Sequence, residues 1–188
     1  DKFYMYDGRT RPLTCDLRKY VFTDFNTDQF TQVFAGGNEA FHEVWWFYCS
    51  ASADVCDRYV IYNYLENIWY FGNLGRTAWK DSGTRDFPVA ATTTNTLVNH
   101  EDGVDDNETS TTTAISSFIT SADFDLDDGH QFMMVSRMVP DISFTGSTAD
   151  APVVNMTLEP LNSSGSGRNS PSSEGGVGTG TVTRSATT

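Results

Sequence analysis

Basic residues are scarce in this chain. Twelve Lys and Arg stand against 25 Asp and Glu among 188 residues, a formal net charge of −13. Duplex nucleic acid is held through cations that displace counterions from phosphate. No basic block occurs, so specific nucleic-acid binding is not expected. An acidic surface can still bear on DNA by repelling it, or can serve solubility alone. Cysteine is limited to Cys15, Cys49 and Cys56. An odd count does not complete an intrachain disulfide framework, and without a CxxC pair zinc has no support. Cys49 and Cys56 flank a loop and can face each other, which leaves a bridge between them open. No run approaches about 18 apolar residues, so no membrane-spanning helix is expected. No GxSxG occurs, so there is no nucleophile elbow. The three histidines, His42, His100 and His130, have no metal-ligand partner at helical spacing and read as surface or turn residues.

Helical periodicity is also nearly absent. Aromatics make up 13% of the chain, enough for a real core, and the aromatic, β-branched and Thr content favours strands. The expected class is all-β with short helical turns only. No apolar h-region follows Asp1, so this opening stretch is not expected to be a signal peptide. The missing initiator Met and a strand that resumes just before Thr188 give the expectation of a piece of a longer chain.

Along the chain, residues 2–6 alternate and meet Asp7-Gly8, a hairpin signal. Residues 15–34 form the helical part, with Asn26 as a cap and Gly36-Gly37 as its close. Three apolar runs follow, 44–48, 59–64 and 68–71, the last two joined by a turn with Asn67 in the left-handed position. Residues 76–79 extend this meander or lead out of it. A strand pair is expected at 88–91 and 96–99, with Thr94-Asn95 in its turn, and an acidic turn at 101–109. Residues 113–126 and 132–144 are further strand candidates, the second interrupted by Pro140 as at an edge or a bulge. Residues 152–158 alternate, with Val154, Met156 and Leu158 on one face. Residues 162–180 are almost all Ser, Gly, Asn and other polar residues and read as a long loop, after which 181–188 begins another strand. The organisation expected is therefore a β portion over 1–161, the loop over 162–180 and a new strand over 181–188.

The meander carries apolar residues on both faces. Side chains alternate along a strand, yet Tyr59 and Ile61 stand on one face while Val60, Tyr62 and Tyr64 stand on the other. Trp69 and Phe71 oppose Ile68 and Tyr70 in the same way. Both faces of such a sheet need cover. Parallel sheets get it from helices, and none is expected beside these strands. A sandwich covers one face only. Antiparallel blades stacked between blades, as in a β-propeller, cover both.

Three blocks carry a more specific likeness: FYMYDGRTRPLTCDLRKYVF, EVWWFYCSASADVCDRYVIYNYLENIWYFGNLGRTAW and FMMVSRMVPDISFTGSTADAP. Together they resemble the tail nozzle proteins of short-tailed bacteriophages, also described as the tail tubular or packaged-DNA stabilisation group, over about residues 2–158. The resemblance implies a virion structural protein of the phage tail, made in the bacterial host cytoplasm. It implies a homo-oligomeric ring, a hexamer, with a β-propeller in each subunit. The ring sits below the portal and its adaptor protein, carries tail fibres or spikes, extends the DNA channel and helps retain packaged DNA. DNA would pass through its lumen without specific binding during ejection.

The chemistry on offer is thin. Asp123, Asp125 and Asp127 alternate like the start of an EF-hand loop, but Gly129 is one place late and Met134 stands where the bidentate Glu belongs. The acidic stretch at 101–106 reads as a solvated turn. A pair of carboxylates could serve a glycan hydrolase, and Trp45, Trp46, Trp69 and Trp79 could stack on sugars in a carbohydrate-binding host-recognition module. Core packing is the preferred reading for all four tryptophans. No catalytic, metal or cofactor-binding residue is assigned, no cofactor is expected, and the chain is not expected to be an enzyme.

Overall fold

Asp7 and Gly8 do turn the first hairpin. Gly8 takes a φ of 97°, in the region that favours glycine, and strand β1 (Phe3–Tyr6) pairs antiparallel with β2 (Thr10–Leu13). An Arg11–Asp7 ion pair closes the tip. The structure is a computed structural model. It describes residues 2–109, 111–122, 124, 131, 134–137, 139–145, 147, 150–159 and 182–187. The chain divides into two compact units, Asp1–Ser117 and Phe118–Thr188. Its described secondary structure is mostly antiparallel β-sheet with few helices, as expected, and the sheets are not closed.

Helix α1 (Arg18–Thr23) and a 3₁₀ segment, Thr27–Gln32, follow the hairpin. Asn26 caps the second of these: its side-chain oxygen accepts from the Asp28 N–H at 3.0 Å, while Nδ2 donates to the Ala53 carbonyl at 3.0 Å. One amide thus ties the N-terminal segment to the loop after the next strand pair. Asn26→Ala is expected to lower stability by about 1–2 kcal/mol in urea unfolding, since it removes both bonds.

Gly36-Gly37 does not close this segment. Both glycines lie inside strand β3 (Phe34–Asn38). This strand opens a four-stranded antiparallel meander with β4 (Glu43–Tyr48), β5 (Arg58–Asn63) and β6 (Ile68–Asn73), in the order β3-β4-β5-β6. The expected left-handed residue sits in the β5–β6 turn: Asn67 has a φ of 58° and accepts the Tyr62 hydroxyl at 2.9 Å. Residues 76–79 lead out of the meander. They belong to β7 (Arg76–Lys80), which forms a second sheet with β8 (Val89–Thr92) and β9 (Leu97–Asn99). Asn95 turns that pair with a φ of 64°.

Strand register assigns the two faces of the meander. Phe34, Trp45, Phe47, Tyr59 and Ile61 share one face, and Trp46, Tyr48, Val60, Tyr62, Trp69 and Phe71 the other. The second is covered, and the first is covered over its central strands but open at Ile68 and Tyr70 on β6. The first meets the second sheet through Trp79, whose ring stacks 5.0 Å from Trp45. The second meets the chain's own N-terminal segment. Phe3 lies 4.8 Å from Trp69 and 5.2 Å from Trp46, Tyr20 lies 4.6 Å from Phe71, and Leu17, Val21 and Phe25 fill in between. The expectation of a sheet on each side is therefore corrected on this face. A single helical turn and a hairpin suffice there because the large aromatic rings already supply most of the thickness.

Beyond residue 100, pairing is sparse. The acidic turn holds β10 (Asp105–Asp106), paired with β11 (Thr113–Ala114). The long strands expected over 113–126 and 132–144 are not found: no strand continues past Ala114 among the described residues of those stretches. Of their described apolar residues, Ile119 and Met134 are exposed. In the second unit, β12 (Val153–Leu158) pairs antiparallel with β13 (Val182–Thr187), and Val154, Met156 and Leu158 share the less exposed face as the alternation predicts. The loop expected at 162–180 lies outside the described residues.

Candidate functional site

Where the two larger sheets of the first unit meet, their apolar packing gives way to polar side chains at one end. Trp79 projects from β7 onto β3, directly over Gly36, and its Nε1 donates to the Gly37 carbonyl at 2.7 Å. Close by, Arg76 is only 4% exposed. Its Nε donates to His100 Nε2 at 2.9 Å, and its Nη1 meets the Glu108 carboxylate at 2.9 Å and the Gly75 carbonyl at 2.8 Å. A buried guanidinium is tolerated only when paired in this way. The arrangement fastens the chain after β9 back to the first strand of its sheet.

His100 stands at a bend, as the turn reading expects, but its ring is half-buried rather than at the open surface. Its ring lies 4.7 Å from that of Trp79. Burial, and then the adjacent Arg76 charge, push its pKa down to about 4, so the ring is neutral and accepts from Arg76 at pH 7. The unfolded ring takes its proton near pH 6.5. The unfolded state thus binds more protons between pH 6.5 and 4, and stability is full above that window and falls as pH is lowered through it. Because the ring is only partly buried, the expected loss is about 1–2 kcal/mol. It is read as the difference in urea midpoint between pH 7 and pH 4.5, and should shrink by that amount in His100→Gln, which keeps an acceptor but does not titrate.

Three further residues converge at the same end. Asn38, fully buried at the end of β3, donates from Nδ2 to the Glu101 carboxylate at 3.2 Å. Glu43, opposite Asn38 in the β3–β4 register, accepts from Trp45 Nε1 at 2.9 Å. Its pKa is raised by partial burial. The Trp45 hydrogen bond opposes the rise, the Glu101 charge adds to it, and a hydrogen bond from Asn38 opposes it. Glu101 reaches this position with a left-handed φ of 58°. The two carboxylates meet on one amide, but the aromatic rings beside them, Trp45 and Trp79, are stacked on each other. The arrangement holds charge in place rather than presenting a sugar platform.

Other residues singled out by the sequence fall elsewhere. His42 is exposed, with its ring 5.6 Å from that of Tyr64. Asp106 accepts from the Glu108 N–H at 2.8 Å within its turn. Asp123, Asp125, Asp127, Gly129 and His130, on which the EF-hand comparison turned, lie outside the described residues. Among the described residues no group of three or more His, Cys, Asp or Glu is placed to hold a metal, and no helix is long and apolar enough to cross a membrane. None of the four tryptophans is exposed: Trp45 is buried, and Trp46, Trp69 and Trp79 are partly so. Asn38, Glu43, Arg76 and Glu101 were not visible as a group beforehand, because they lie on four separate segments and no spacing connects them. The chain matches no protein-family model, and no curated protein matches it.

Proposed function

We propose that this chain is part of a tail nozzle protein of a short-tailed bacteriophage, a virion component whose work is assembly rather than catalysis. The observation that carries the reading is the likeness of the three long sequence blocks to that family. The architecture adds support. The β3–β6 sheet is a four-stranded antiparallel meander in sequence order, packed against the next sheet through Trp79, an arrangement compatible with neighbouring propeller blades. The N-terminal segment then covers the blade's other face. The β6 side of the first face is open, with Ile68 and Tyr70 exposed, as a surface meeting a neighbouring subunit would be. The acid excess, −13 overall, suits a conduit through which DNA slides without sticking.

In this role the protein forms a homo-oligomeric ring, a hexamer, that joins the portal adaptor protein, carries fibres or spikes and passes DNA during ejection. Imaging of the full-length protein, alone and in the native particle, tests it. The expected result is a ring of copies around an open channel at the tail. A monomer or trimer that binds bacterial polysaccharide overturns the reading in favour of a host-recognition module. Release of sugars from that polysaccharide overturns it in favour of a glycan hydrolase.

A further inference from the structure

Cys49 and Cys56 stand at the two ends of the loop that joins β4 to β5, and their sulfurs are 3.9 Å apart. Both are free thiols and almost fully buried, in the same apolar cluster as Trp45, Phe47 and Ile61. Their protons are placed in a chain: Cys49 Sγ donates to Cys56 Sγ, which donates to the Gln32 carbonyl at 3.3 Å. A disulfide needs a sulfur separation of about 2.05 Å, so an approach of about 2 Å joins them. The loop between them is exposed at Ala51, Ser52, Asp54 and Val55. It is anchored by Ser50, which donates twice to Asp57 at 2.8 Å, and by Asn26 and Gln32, which hold the Ala53 and Asp54 carbonyls. The Ser50–Asp57 bonds hold the two ends of the loop in register, and the Asn26 and Gln32 bonds tie its middle to the preceding segment.

We infer that Cys49 and Cys56 are a disulfide-forming pair, reduced where a thiol pool is maintained and closed to a bond in an oxidising medium. With a small-molecule disulfide such as oxidised glutathione as oxidant, one thiolate attacks a glutathione sulfur and releases one glutathione. The other thiolate attacks the mixed disulfide and releases the second. The protein gives up two protons and two electrons, which leave on two reduced glutathiones. Burial raises the pKa of both thiols, that of Cys56 to about 12, so the bond forms through transient opening of the loop and forms slowly. Closure removes the Cys56 hydrogen bond to Gln32 but shortens the free chain of the unfolded state.

The test uses the full chain carrying Cys15→Ser, which removes the one remaining thiol. After incubation with oxidised glutathione, mass spectrometry of the intact protein and of its peptides is expected to show the loss of two hydrogens and a link between residues 49 and 56. The melting temperature is expected to rise by about 5–10 °C. Reduction should return it to the starting value. The same treatment of Cys49→Ala in the Cys15→Ser background should give neither link nor rise. Thiols that stay fully alkylatable after unfolding, a stable glutathione adduct on either cysteine, or a linked protein that melts lower than the reduced one would each overturn the inference.

Discussion

Gly36→Ala is expected to destabilise the first unit by about 3 kcal/mol, at the upper end of what overpacking costs. A Cβ at this position would stand 2.3 Å from Trp79 Cδ1 and 2.6 Å from its Cγ. No real pair of carbons approaches so closely, and neither side can yield cheaply. The Trp79 ring is stacked on Trp45 at 5.0 Å, lies 5.8 Å from Phe47 and is held by its bond to the Gly37 carbonyl. Moving it separates the two sheets. The mechanism is checked with a double-mutant cycle in urea. Trp79→Ala alone is expected to cost about 3–5 kcal/mol. With the indole gone, Gly36→Ala should cost less than about 1 kcal/mol, a coupling of about 2 kcal/mol between the two sites. Additive effects would show that the indole does not rest on this glycine.

Phe47→Ala is expected to have a still larger effect, about 3–5 kcal/mol, visible as a lower urea midpoint with little change in slope. Phe47 has no exposed surface and its ring stacks flat on Phe34, with centroids 4.7 Å apart. Cutting it back leaves a cavity between rings that are tied to other partners and cannot collapse into it. Tyr70→Ala supplies the contrast. Tyr70 lies on the same face of the same sheet, two strands away on β6, but is 40% exposed. Its loss should stay within about 0.5 kcal/mol in the isolated protein. Equal costs at the two positions would mean that cover over this face extends across β6.

Turn chemistry was the most legible part of the sequence. Asp7-Gly8, Asn67 and Asn95 each mark a reversal that the backbone makes with a positive φ at or beside the residue named. The three central strands were legible from their apolar runs, and the strand pair near residue 158 from its alternation. Strand β3 was not, because two adjacent glycines read as a stop. Only the approach of Trp79, 42 positions away in the chain, explains why a strand there needs them. The cover over the Trp46–Trp69 face was missed for a related reason. A run such as Leu17, Val21 and Phe25 is too short to announce itself as a helix, and its value lies in what it touches. The stretches at 113–126 and 132–144 have strand-like composition, but composition names no partner, and a strand exists only by pairing. The polar cluster of Arg76, His100, Glu108, Asn38, Glu43 and Glu101 left no local signal, since each member is an ordinary turn or strand-end residue until the two sheets meet.

The N-terminal segment bears on the order in which the molecule is made. The meander strands find one another through short turns. The face carrying Trp46 and Trp69 is finished only when Phe3 and the chain around Thr14 fold over it, the latter reaching Trp69 across 55 positions. Contacts over such spans close late, after the local pairings exist. A chain clipped between this segment and the meander would therefore present a strip of indole and phenol rings to its surroundings. That makes the leading arm a safeguard against premature sticking as well as a part of the core, and makes Trp46 and Trp69 fluorescence a direct clock for its docking.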